Sequence, residues 1–151
     1  MIKRLINQVT ATLGAAPKDD TQKREAAIRT ATAVLMVDVA RADHVFDDSE
    51  HEHLLKLIQA HFDLSAEEAV ALFNRADEQA EDLVSLHEFT QLLHNELDED
   101  EKAHIIGHLW QIAYADGRLD KYEDSLVLKI SDLLHVSRGL VMRLKHDAQK
   151  G

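Results

Sequence analysis

The sequence predicts an all-α fold, a single compact domain of about seven or eight helices, and three observations carry that expectation. Apolar residues recur at i, i+3, i+4 spacing along most of the chain. Five side-chain pairs with the spacing of a helix capping box mark starts at regular intervals. Breakers are scarce: 5 Gly and 1 Pro in 151 residues, where average usage gives about 10 and about 7. The absence of cysteine excludes disulfides, thiolate metal sites and a cysteine nucleophile. No apolar run approaches the ~20 residues that span a bilayer, and no signal-peptide core opens the chain, so a cytoplasmic protein is expected.

The elements follow in order. Residues 2–13 place Ile2, Leu5, Ile6, Val9 and Leu13 on one helical stripe flanked by Lys3 and Arg4. That segment is expected to pack on the domain core, with peripheral membrane contact as the rival. Residues 15–20, with the one proline, read as a linker. Residues 1–20 thus form an N-terminal amphipathic segment and linker, and 21–151 the helical domain. Residues 21–42 form a long Ala-rich helix with Ile28, Ala31, Leu35, Val39 and Ala42 near one face. The capping pairs Asp47/Glu50, Ser65/Glu68, Ser85/Glu88, Asp98/Glu101 and Asp120/Glu123 predict helices over 48–62, 66–80, 86–96, 99–115 and 121–135. A last helix covers 138–149.

The net charge is −11, and its distribution is uneven. Residues 42–101 hold 18 Asp+Glu against 2 Lys+Arg, a local net of −16. A segment so acidic does not bind nucleic acid, which needs clustered cations. Cations and basic protein surfaces are the natural partners.

The chain also repeats itself. At an offset of 73, Ala42-Asp43-His44-Val45-Phe46-Asp47-Asp48-Ser49-Glu50 lies over Ala115-Asp116-Gly117-Arg118-Leu119-Asp120-Lys121-Tyr122-Glu123. Met36 meets Leu109, Val39 meets Ile112, and Leu55 meets Leu128. After a one-residue gap, Leu64-Ser65 meets Val136-Ser137. Two pseudo-symmetric helix–acidic turn–helix units follow, over about 29–80 and 102–149.

Most of the repeated pattern A-D-x-x-[FL]-D-x-x-E is folding chemistry. Asp47 and Asp120 are expected N-caps, and Glu50 and Glu123 complete the boxes. Asp43 and Asp116 are different. Each sits at the C-terminal end of a helix, where a carboxylate faces the negative end of the dipole at a cost of roughly 0.3–1 kcal/mol. Asp43, Asp47 and Glu50, mirrored by Asp116, Asp120 and Glu123, therefore form two tight carboxylate turns. Hard divalent cations, such as calcium, magnesium or manganese, take several oxygen ligands and tolerate such charge density, and zinc also accepts carboxylates. These are not EF-hand loops: counting from Asp43, position 6 is Asp48 rather than Gly and position 12 is Leu54 rather than Glu.

The paired ADH-VFDD-SE and ADG-RLDK-YE turns between apolar helices resemble the TerB family, named for tellurite resistance. The resemblance covers roughly residues 25–149. It implies an all-helical fold, an acidic face, no enzymatic activity, and divalent-metal binding within a cytoplasmic stress-response assembly. The family's acidic positions map onto Asp43, Asp47 and Glu50, and onto Asp116, Asp120 and Glu123. His44 departs from the family pattern, which has Gly there.

Other patterns are weaker. The chain holds 10 His, and His104 and His108 have the i, i+4 spacing that places two imidazoles on one metal. They fall opposite the stripe Ile105, Ile106, Leu109, Ile112 and Ala113, on a face expected to be exposed or at an interface, where zinc or nickel would bind adventitiously. Glu50…His53 and Glu101…His104 share the E-x-x-H spacing of di-iron bundles, but both Glu residues are capping positions in short helices. Trp110 and Tyr114 are expected to pack. Two function classes follow: cation binding or sensing through the acidic turns, coupled to a protein partner, and a metal-independent acidic interaction module. Nucleophilic catalysis has no candidate, so the chain is not expected to be an enzyme.

Overall fold

The computed structural model describes residues 20–42, 48–80, 85–114 and 121–150. Among them are seven helices and no strand: α1 (Asp20–Ala40), α2 (Asp48–Phe62), α3 (Ala66–Ala80), α4 (Ser85–Glu96), α5 (Glu99–Ala113), α6 (Lys121–Leu133) and α7 (Arg138–Lys150). The capping spacing places α2 and α3 to the residue. The segment 2–13, the linker proline, Gly117 and His44 lie outside the described residues.

Helix α1 is the axis of the bundle, packed by α2, α3, α4, α5 and α6. The expected single stripe is too narrow. From Ala26 to Ala40 every residue is buried except Ile28, Arg29 and Asp38. A helix surrounded by others has no solvent face, and Ala and Thr let neighbouring backbones come close. Leu35 and Met36 are fully buried here, as are Leu54, Ile58, Leu72, Leu93, Ile106 and Leu109 around it. Each such side chain contributes ~1.5–3 kcal/mol relative to exposure. The most extensive packing is between α1 and α3, then between α5 and α7. Those are the first and third helices of each sequence unit.

Local rules set the helix ends. Ser65 Oγ accepts from the Glu68 amide at 3.1 Å, while Glu68 Oε1 accepts from the Ser65 amide at 2.9 Å. Asp98 and Glu101 make the same reciprocal pair at 2.8 and 3.0 Å. Each box satisfies two amides that the first turn leaves orphaned. Helices α2 and α6 end alike. Asp63 (φ 53°) and His135 (φ 61°) are left-handed, and the amides of Leu64 and Val136 reach back to the carbonyls of Gln59 (3.0 Å) and Ser131 (3.1 Å). These are Schellman stops, with Leu64 and Val136 buried behind them. That stop ends α6 at Leu133, two residues before the capping spacing alone predicts.

Trp110 is fully buried, as expected for a packing residue, and ties α5 to α7. Its Nε1 donates to the Val141 carbonyl at 3.2 Å. The Lys145 ammonium stands 5.2 Å from the ring centroid and pairs with Asp124 of α6 at 2.7 Å.

Candidate metal centres

Four of the six carboxylates read from sequence, Asp43, Asp47, Asp116 and Asp120, lie outside the described residues. The other two are placed. Glu50 and Glu123 occupy equivalent positions in the first turns of α2 and α6. Glu50 is half-buried and Glu123 is 5% exposed. The contrast with the two complete capping boxes is plain: Glu68 and Glu101 are both exposed. The N–H of Ser65, assisted by its hydroxyl, holds the Glu68 carboxyl below the usual carboxylate range. A capping glutamate therefore does its work in water, and Glu123 has been withdrawn from water.

The described residues also assemble a group that the sequence reading split. His61, in the last turn of α2, meets His104 and His108, one turn apart on α5. The three offer one ligand atom each, all within 4.8 Å of one another. Ring centroids lie 5.1 Å apart for His61 and His104, which stack, 4.7 Å for His61 and His108, and 4.6 Å for His104 and His108. The Schellman stop at Asp63 sets the end of α2 and so the height of His61. An edge-on contact with Phe62, at 4.6 Å, braces its ring. His104 is exposed, whereas His61 and His108 are half-buried. The face of α5 expected to be exposed or at an interface is exposed at His104 and half-buried at His108, where α2 lies across it.

Two buried atoms of this group, His61 Nδ1 and His108 Nδ1, have no hydrogen-bond partner among the described residues. Burial, then repulsion from His108 and His104, pushes the His61 imidazole down to about 4. Burial and His104 also lower His108. At neutral pH His61 is therefore an uncharged imidazole, the form that ligates metal. Beside the cluster opens a groove of about 370 Å³ that Thr32, His61, Asp100, Glu101 and His104 help line. His104 and His108 were legible from their spacing. His61 was not, because no local rule links residues on different helices.

Two further titratable groups went unread. Asp38 interrupts the apolar run Val34–Ala40, and burial pushes its carboxyl up to about 7 against the opposing pull of Arg41. Lys102, 3% exposed, sets its ammonium 2.7 Å from His94 Nδ1.

No described helix is long and apolar enough to cross a membrane. No curated protein and no solved structure matches the chain. A family model, described as Tellurite resistance protein TerB, matches residues 29–146 and so covers both acidic turns, the axial helix from Arg29 onward and all three clustered histidines. With most of its length under that match and an all-helical bundle to go with it, the chain belongs to the TerB family.

Proposed function

We propose that this TerB-family protein binds a divalent cation through its paired acidic turns and couples the occupied state to a protein partner. The supporting observation is the withdrawal of Glu123 from solvent at a position where capping alone leaves the side chain exposed. Asp116, Asp120 and Glu123 in one turn, and Asp43, Asp47 and Glu50 in the other, are the oxygen donors that would hold the ion. Calcium, magnesium and manganese suit such a set, and zinc suits it less well. When bound, the ion supplies charge neutralisation, which allows the carboxylates of a turn to converge. The acidic segment 42–101 offers a complementary face to a basic partner surface. The role is binding, without turnover.

The test is calorimetric titration and thermal denaturation with calcium, magnesium and manganese, on the wild type and on the Glu50→Gln/Glu123→Gln variant. Saturable heat and a raised Tm are expected for the wild type. A ligand at a hundredfold excess over Kd stabilises by about 2.7 kcal/mol. The double variant should lose most of both responses. Neither heat nor a Tm shift with any of the three ions would remove the cation from the proposal. Partner binding that weakens steeply with added salt and ignores metal would then favour the plain interaction module.

A further inference from the structure

A second group of donors, chemically unlike the acidic turns, gathers at the other end of α2. Glu50 and His61 are separated by about 16 Å along the helix axis at 1.5 Å per residue. We propose that His61, His104 and His108 form a nitrogen-donor site for a borderline divalent transition metal of the zinc class, independent of the acidic turns.

Geometry carries this. Three imidazoles on two helices already bring their ligand atoms within 4.8 Å of one another. Tetrahedral coordination at 2.0–2.1 Å puts ligand nitrogens about 3.3 Å apart. Small side-chain rotations close that gap with both helices in place. His104 and His108, at i, i+4, share a face of α5, and His61 meets them from α2. The two buried Nδ1 atoms without partners are a second observation. A buried polar atom left unsatisfied is destabilising. A metal coordinated at such a nitrogen gives it the partner it lacks.

Donor type selects the ion. Imidazole suits zinc, cobalt, nickel and copper, whereas calcium and magnesium require oxygen. Three protein ligands leave a fourth position, which is how open zinc sites are arranged. The adjoining groove, with Asp100 and Glu101 on its wall, gives water access to it. The ion would also act mechanically. Helices α2 and α5 share only a small contact, so a metal bridging them staples elements that the core joins weakly.

Cobalt(II) is the probe, because its visible bands strengthen sharply when it moves from octahedral water into a tetrahedral nitrogen site. The full chain is titrated with cobalt(II), and with zinc by calorimetry, as wild type and in the Glu50→Gln/Glu123→Gln background. His104→Ala is the diagnostic change, since its side chain is exposed and the core does not need it. His53→Ala, an exposed histidine of α2 outside the cluster, is the control. Intense tetrahedral bands are expected in the wild type, in the acidic-turn variant and in the control. Loss of the His104 ligand should weaken binding by more than about a hundredfold, since even outer-shell partners of a metal contribute 10–100-fold. Weak octahedral spectra in the wild type, unchanged affinity in His104→Ala, or loss of binding only with the acidic-turn substitutions would each overturn the site.

Discussion

Asp38→Asn isolates the electrostatic cost of seating a carboxyl against the axial helix bundle. In the folded protein burial holds this carboxyl at about 7, against 3.8 in a free chain, with Arg41 the charged group that opposes the rise. A folded-state value above the unfolded one means that the native protein binds the extra proton. The associated stability is complete below pH 3.8 and is lost as pH rises through 7. The difference is about three pH units, which at 1.36 kcal/mol per unit corresponds to about 4 kcal/mol between the two ends of that window. Asparagine has the shape of the protonated acid and does not titrate. The variant should match the wild type near pH 3 and exceed it by up to about 4 kcal/mol near pH 8. Urea denaturation followed through Trp110, the single tryptophan and fully buried, measures both proteins at each pH. Subtracting the two curves cancels every titration they share. A flat difference across pH 4–7, or a variant less stable than the wild type at pH 8, would refute the reasoning.

Two further substitutions test the local architecture. Asp63→Gly places at φ 53° a residue with no left-handed penalty, and should stabilise by up to about 1 kcal/mol. The Tm then rises by about 2–4 °C; a fall would show that the Asp63 side chain matters more than its backbone. Trp110→Phe removes the bond from Nε1 to the Val141 carbonyl, an acceptor that keeps its place in the α7 hydrogen-bond ladder, and opens a void where the larger ring stood. The lost bond and the void together should cost about 1–3 kcal/mol, measured by far-ultraviolet circular dichroism in urea, and an unchanged midpoint would show that neither contributes to the fold.

The helices were legible because their causes are local. Ser65/Glu68 and Asp98/Glu101 are three residues apart, and the bonds they make lie within one turn, so spacing alone announced α3 and α5. The left-handed stops were harder. Asp63 and His135 are equivalent in the two aligned units, yet neither is the glycine that a sequence reader looks for at such a position. The tight bend at each is held by a nonlocal gain, the burial of Leu64 and Val136 against the core. Asp38 left a trace, a charge inside an apolar run, whose meaning depended on α1 being enclosed on all sides.

Periodicity, caps and a repeated acidic motif were thus sufficient for an all-α TerB-type chain, for its helix starts to within one residue and for the candidate carboxylates. Tertiary packing alone decided that α1 is enclosed from Ala26 onward, that Glu123 leaves water while Glu68 and Glu101 stay in it, and that His61 joins His104 and His108. Helical hydrogen bonds and capping interactions act over a few residues and are written in the order of the chain. Burial and the meeting of side chains from separate helices depend on how those helices pack, and packing is the sum of many small contacts that no short stretch of sequence contains.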